Sequence, residues 1–546
     1  MSVKKLPVLH HNIDHLAMRP GVLHCWGWVC AEDGPLRALH LVCRLQDDRL
    51  VEYPVEYGAL RTDVGDALKH LPHAAASGFL ANVAWQGAEL HSAWLRATTE
   101  NMQCVNIALI DGVPDAPQAP SKLKPTVQMG WQLGLRALRL MRRGQFAVLY
   151  EKARRYLAAK PVEVDDPVEQ IRLGLESVQK TRALLVIDHD LGGGAPLYRQ
   201  RLIAAHVEKG GAVLLLTFHL PTVSYAVQVY GGMNFPRLAL QRLVDLMPLA
   251  REGWIGDVFF NNAVSFPEPQ RLPEFLSALR MASAGRVTLA FHDYYLLCPS
   301  HFLLDDAGKF CDIPDVQRCA KCLPNNREGF VNFYPARDIV LWRKNWGKLI
   351  DSADEILFFS KSSQEIFLRV YPNFPASKMR VRPHAMDYFP HRQLAVDLAA
   401  PLHIGVVGHI GRHKGAKIIA SLAKEMAAKR PEVRMTIFGQ IDEFVPRGVV
   451  RVTGSYTSEM LPELIETSGA NLMLMPSIYP ETFSFVTHEI IELGLPVVCF
   501  DLGAQAEAVS GYSKGRVIPL MEGEALLNML CEVKTEFFDD ADAKQI

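Results

Sequence analysis

From Arg182 onward the chain repeats one texture: a short, almost uninterrupted apolar run, a loop, then a helical stretch. The runs A-L-L-V-I-D, A-V-L-L-L-T-F, D-V-F-F-N-N, V-T-L-A-F-H-D, E-I-L-F-F-S and M-R-V-R-P all read as strands. Strands apolar at nearly every position, alternating with helices, specify a parallel sheet covered on both faces, because an exposed face would carry polar residues at every second position. After a linker around Asp387 to Pro401 the texture restarts with L-H-I-G-V-V-G, M-T-I-F-G, N-L-M-L-M and P-V-V-C-F. The expected fold class is therefore α/β, with two doubly wound, Rossmann-like domains over residues 181–390 and 391–546. Two such domains in tandem place the C-terminal ends of both sheets across a cleft, where this kind of sheet binds its ligands.

The N-terminal part has a different texture. From Val22 to about Leu109 short alternating runs such as L-H-C-W-G-W-V and R-A-L-H-L-V-C-R-L, separated by turn residues, predict a small all-β, sandwich-like domain over residues 1–115. Trp26, Trp28 and Trp85 have the shape to stack on sugar rings, but in a sandwich of this size core filling is the favoured expectation. The Pro-rich break D-G-V-P-D-A-P-Q-A-P then leads into a basic helical segment of about Val127 to Ala159, so that residues 116–180 read as linker and helix. Arg136, Arg139, Arg142, Arg143, Lys152, Arg154 and Arg155 face only Glu151 there. The favoured expectation is a solvated helix face bridging two domains; the alternative is peripheral contact with the anionic headgroups of the inner membrane.

At 546 residues the chain is too long for a single core, and a formal charge of -1 argues against a general nucleic-acid binder. No apolar run approaches the roughly 18 residues that would span a bilayer, and the start M-S-V-K-K-L-P-V-L-H-H lacks the apolar centre of a signal peptide. The expectation is a cytoplasmic chain, at most peripheral on the cytoplasmic face of the membrane, whose ten cysteines are reduced.

Near the C-terminus stands P-S-I-Y-P-E-T-F-S-F-V-T-H-E-I-I-E-L-G-L-P-V-V, with Glu481 and Glu489 separated by seven residues. Pro476, Pro480 and Thr482 mark a loop opening a helix that Gly494 and Pro496 stop. A helix start offers free N–H groups and the positive end of its dipole, which suits a pyrophosphate; two carboxylates at this spacing suit the hydroxyls of a sugar and of a ribose on either side of it. This segment resembles the Glu-x7-Glu signature of retaining glycosyltransferases of family 4, which have the GT-B fold. Thr482 and Ser484 stand where the family usually has glycines. The N-terminal runs G-W-V, Y-G-A-L-R-T-D-V and S-G-F likewise resemble an accessory β domain found at the front of some bacterial cell-surface polysaccharide glycosyltransferases.

The resemblance implies roles for further residues. Glu489 would bind the donor ribose, Glu481 the donor sugar and Lys414 the diphosphate, with Thr482, Phe483 and Ser484 offering backbone amides. In V-V-G-H-I-G-R-H-K-G, Gly408, Lys414 and Gly415 occupy the place of the family's glycine and Lys-Gly positions; His409 replaces an arginine, and Arg412 is the candidate substitute. The loop D-H-D-L-G-G-G-A-P-L-Y, with Gly192, Gly193 and Gly194, resembles the glycine loop that opens the acceptor-side domain, and a tight turn is its bland alternative. F-H-D-Y-Y-L-L-C-P, with His292 and Asp293, resembles a cleft-lining stretch, so Glu481, Lys414 and His292 form the candidate catalytic set. His384 in R-P-H reads as a core or capping histidine before a cleft residue.

Cys298, Cys311, Cys319 and Cys322 have a spacing, including C-A-K-C, that suits a structural four-thiolate zinc; packed free thiols are the equal alternative. No cofactor is expected for the chemistry. The implied function is transfer of a sugar from a nucleotide-sugar donor to a cell-envelope glycan or lipid-linked glycan acceptor, with retention. Alternatives are a GT-B sugar-nucleotide epimerase and a catalytically silent glycan-binding scaffold.

Overall fold

The computed structural model describes the chain except residues 1–7, 20, 47–48, 86–88, 101–102, 111–159, 179–181, 191–193, 220–221, 223, 233–234, 267–268, 270–271, 327–336 and 544–546. The basic helical segment expected over 127–159 lies outside the described residues. What is described falls into two compact units, one within residues 1–159 and one from Lys160 onward.

The first unit is a β-sandwich of two antiparallel, four-stranded sheets. One sheet is ordered Leu9–Arg19, Val22–Ala31, Gly78–Ala84, Glu56–Ala59; the other is ordered Leu50–Pro54, Leu36–Leu45, Leu90–Thr99, Cys104–Ile110. Alternate residues such as Leu23, Cys25 and Val29 meet Leu41, Cys43 and Leu95 in the core, as the period of two requires. Trp85 is part of that core, and Trp28 packs on a small cluster with Cys30, Val64, Leu71 and Ala74. Trp26 is half-buried and stacks on His15 with ring centroids 3.9 Å apart.

The second unit holds two α/β domains. The first has an eight-stranded sheet ordered Leu238–Leu240, Ser224–Tyr230, Val213–His219, Ala183–Ile187, Ile255–Phe260, Val287–Ala290, Glu355–Phe358, Met379–Val381. The last six are parallel, as expected. The Ser224–Tyr230 strand instead runs antiparallel to its neighbours on both sides, because the short connection from His219 to Ser224 cannot make the crossover of roughly a dozen residues that a parallel partner needs. The helix Pro167–Glu176, capped by Asp166, sends Ile171 and Leu175 into this domain's core.

The second α/β domain has six parallel strands, ordered Val450–Val452, Arg434–Ile441, His403–Ile410, Leu472–Met475, Val497–Phe500, Gly515–Ile518. Counted within the domain this order is 3-2-1-4-5-6, that of a doubly wound dinucleotide-binding sheet. Both faces are covered: Ile404 and Val406 join a core with Leu422 and Leu530, while Val407 faces Ile490 and Leu495 on the other side. The two Rossmann-like domains together make the GT-B arrangement. The order reverses between His403–Ile410 and Leu472–Met475, and the segments carrying Lys414 and Glu481 leave the ends of those two strands. No helix among the described residues is long and apolar enough to cross a membrane.

Gly415 joins these two segments. It stands left-handed at φ +80 as N-cap of the helix Ala416–Lys429, and a Cβ there would lie 2.0 Å from the carbonyl oxygen of Pro476. Gly415→Ala is therefore expected to cost at least about 1–3 kcal/mol from the backbone conformation alone, with the clash added. A melting temperature equal to that of the unsubstituted protein would contradict this packing.

Candidate functional site

The second α/β domain's half of the candidate site is built on the loop between the strand Leu472–Met475 and the helix Phe485–Glu492. Glu481 is 5% exposed and accepts from Ser477 Oγ, while its backbone N–H donates 3.0 Å to Gln505 Oε1 and its carbonyl accepts 2.8 Å from Ala504 N. These bonds pin the loop at both edges. Ser484 is the N-cap, yet its side chain closes no cap; its hydroxyl accepts 2.8 Å from Thr487 Oγ1 instead. The N–H groups of the first turn have no partner within the helix, which leaves the positive end of the dipole available to an anion.

Glu489 lies in the body of this helix, 6% exposed, and accepts a 2.5 Å hydrogen bond from Tyr388 Oη. Burial pushes its carboxyl up; the Tyr388 bond and the Lys414 ammonium oppose that shift. Lys414, half-buried in the turn after His403–Ile410, is thus the cation that acts on Glu489. Gly408 lies near the end of that strand at φ +110, in register with Gly439, where a Cβ would stand 2.1 Å from the Gly408 carbonyl. His409 turns away from this point and bonds Asp442 Oδ1 at 2.8 Å. Arg412, the expected substitute for a family arginine, is exposed, and its guanidinium lies against Gly308 of the first α/β domain.

The first domain supplies the opposite wall. Gly193 is outside the described residues; Gly194 is the N-cap of the helix Ala195–Glu208. Gly194 has an ordinary φ of -76, so its need is spatial: a Cβ would stand 2.6 Å from the ring of Phe485. At Gly194 the chain thus passes close to a side chain of the other domain. Phe483 likewise packs onto the first domain's cluster of Val186, Phe259, Ala290 and Phe359. Thr482 completes the junction, donating 2.6 Å from Oγ1 to the carbonyl of His292.

The His292 ring stacks on Phe359 at 4.4 Å, with His384 at 5.5 Å on a nearly parallel plane. Its Nε2 lies 2.7 Å from Asn261 Oδ1, and Asn261 turns its amide nitrogen to the Ala195 carbonyl at 3.2 Å. Asn261 Oδ1 is therefore the acceptor and Nε2 carries the proton. Burial, with His384 and His189 nearby, lowers the His292 pKa well below the usual range, and His384 falls to about 3. Both rings are neutral at pH 7. Asp293 accepts 2.7 Å from Asn262 Nδ2 and 2.9 Å from Tyr295 N, and Asp188 pairs with Arg199 at 2.9 Å. Burial holds both carboxyls up at about 6.

Cys298, Cys311, Cys319 and Cys322, read from the sequence as either a zinc site or packed thiols, lie near one another. Among the described residues no group of three or more His, Cys, Asp or Glu side chains is placed to hold a metal ion. Cys319 and Cys322 share the helix Val316–Asn325, where Cys322 Sγ accepts from Asn326 Nδ2 and Cys319 packs with Cys298, Leu323 and Ile339. Burial raises all four thiols, Cys311 to about 11. The insertion is held by contacts such as Phe302, whose ring stacks at 4.2 Å on His413 of the second domain.

Several contributors were not singled out from sequence. Asn261 and Asn262 end an apolar parallel strand, a position that signals a cleft. Tyr388, Ser477 and Gln505 carry no local pattern at all.

Asp293 gives the site a pH signature. The folded state keeps this proton up to about 6, whereas the ordinary value is 3.8, so between these values the folded state binds more protons. Its stabilising contribution is complete below the lower value and lost as pH rises through the upper one. Relative to the unsubstituted protein, Asp293→Asn is expected to gain melting temperature between pH 4 and pH 7; a pH-independent difference would refute the assignment.

Residues 399–533 match the family model described as glycosyl transferases group 1. No curated protein matches the chain. Among solved structures, HepE of Anabaena in complex with UDP-glucose is similar at 16% identity and a TM-score of 0.40, over 64% of this chain and 89% of that one. A glycosyltransferase from Rickettsia africae is similar at 14% identity and a TM-score of 0.42, over 65% and 89%. WaaG, a glycosyltransferase involved in lipopolysaccharide biosynthesis, is similar at 14% and 0.36, over 64% and 90%. Glu481, Glu489 and Lys414 all fall within the span of residues 399–533 that matches this model.

Proposed function

We propose that the chain is a retaining glycosyltransferase that moves a sugar from a nucleotide-sugar donor to a cell-envelope glycan or a lipid-linked precursor. The observation that carries this reading is the gathering of Glu481, Glu489 and Lys414 about the reversal point of the second sheet, within the span matched by the family model. In this reading the ribose hydroxyls bind Glu489 and the donor sugar lies toward Glu481. The diphosphate lies between Lys414 and the first turn of the helix Phe485–Glu492. A fixed cation and a helix start beside the leaving diphosphate stabilise the charge that develops there as the glycosidic bond breaks.

His292 has a defined part. Neutral, and held by Asn261 through Nε2, it presents an unprotonated Nδ1, so it serves as a hydrogen-bond acceptor for donor or acceptor hydroxyls and not as a cation. Retention is proposed from the resemblance to family 4, in which no protein nucleophile is needed. The acceptor class, and a place on the cytoplasmic face of the inner membrane, are proposed from the accessory β unit and the basic segment before Ala159.

A panel of sugar nucleotides scored for hydrolysis and transfer, with the product anomer read by NMR, tests the reaction; an inverted product would exclude retention. Glu489→Ala is expected to weaken binding of the cognate nucleoside diphosphate by roughly 1.5–3 kcal/mol, the range for a hydrogen bond to a charged group. Unchanged affinity in calorimetry would remove Glu489 from the ribose. Lys414→Ala is expected to lower kcat with little change in melting temperature, and parallel losses of both would make it structural.

A further inference from the structure

The Tyr388 hydroxyl belongs to no motif, yet it makes the shortest described contact to the carboxylate assigned to the ribose. Tyr388 lies in the turn that joins the two α/β domains, between the strand Met379–Val381 and the strand His403–Ile410. From there its Oη reaches Glu489 Oε1 at 2.5 Å. The ring is held in turn: the Arg201 guanidinium stands 5.5 Å from its centroid. Arg201 projects from the helix Ala195–Glu208 of the first domain and bonds Asp387 Oδ1 at 2.5 Å and the Ala385 carbonyl at 2.9 Å. Three segments distant in sequence are thus linked in one chain of contacts, from Arg201 through Tyr388 to Glu489.

We propose that Tyr388 is the positioning residue for ribose recognition, orienting Glu489 so that its remaining oxygen sites accept the two hydroxyls of a ribonucleoside diphosphate. The inference rests on the donor site proposed above. A phenol can only donate to this carboxylate, and an ionised carboxylate has about four acceptor sites. One is taken by Tyr388, and enough remain for a cis-diol. A protonated Glu489 would lose acceptor capacity on one oxygen, so a donor that favours the ionised form also favours the diol. Glu489 also faces Tyr456 and Lys414, and burial acts against its charge. Because Arg201 belongs to the first domain, ribose selection in the second domain depends on how the two domains meet.

The test is calorimetry on the full chain with UDP, GDP, ADP and CDP and their 2′-deoxy counterparts. For the base that binds, the unsubstituted protein is expected to prefer the ribo form by about tenfold or more, as for a hydroxyl bound to a charged acceptor. Tyr388→Phe removes one oxygen from a half-buried ring and should cut that preference by roughly three- to tenfold. Glu489→Gln should show the same reduced preference with Tyr388 present or replaced by Phe, since the tyrosine acts through the glutamate. A preference unchanged in Tyr388→Phe overturns the inference while leaving the donor site standing. Absence of binding by every nucleoside diphosphate overturns the donor-site reading itself. Should the Phe variant fail to fold, Arg201→Met, which frees the ring and keeps the hydroxyl, decides: a reduced preference supports the role and an unchanged one refutes it.

Discussion

The bond from Thr482 Oγ1 to the carbonyl of His292 is where the two α/β domains become one site. Each domain alone ends in a row of loops at the C-terminal edge of its sheet. The bond fixes the loop carrying Glu481 against the strand end carrying His292, and Phe483 and Phe485 enter the first domain on the same side. Gly194 is the other half of that constraint, since any side chain there would displace Phe485. The family pattern has a glycine where this chain has Thr482, and a glycine has no hydroxyl to offer. The Thr482 hydroxyl therefore adds a contact between domains that a glycine could not make.

Once the junction forms, its electrostatics follow from burial. His292 and His384 stack on Phe359, away from water, and a charge there would have neither solvation nor a carboxylate partner. They are neutral for that reason. Asp188 and Asp293 are held up to about 6 by the same loss of solvent, although Arg199 and the amides of Asn261 and Asn262 work against it. In the second domain the balance is different: Lys414 and the Tyr388 hydroxyl both favour the charge on Glu489, and burial opposes them. The first domain thus brings two neutral histidine rings to the junction, and the second brings an ammonium beside a carboxylate.

Much of this was legible in the chain. Apolar runs without polar alternation require a sheet buried on both faces, and the sheets have that burial, with Ile404 and Val406 in one core and Val407 in another. The helix after Glu481 ends at Gly494, left-handed at φ +70, where the Gly-Leu-Pro signal placed its stop. Glu481 and Glu489 both proved buried next to polar partners, although a surface helix with incidental glutamates shares the same local pattern. Periodicity and terminators act within a few residues, so a linear sequence displays them.

Other features could not be read along the chain. C-A-K-C has knuckle spacing, but whether four thiols meet depends on loops distant in sequence; here Cys319 and Cys298 pack with Leu323 and Ile339. Arg412 was the candidate second cation in place of His409; tertiary structure sends His409 to Asp442 and Arg412 against Gly308, with Lys414 beside Glu489. Tyr388 reaches a glutamate 101 positions away through a contact no local pattern encodes. The sequence by itself determined the elements and the residue types at strand ends, because burial and backbone conformation impose local rules. Which of those residues share a site was decided only in three dimensions, because hydrogen bonds and charges act over a few ångströms of space whatever their separation along the chain.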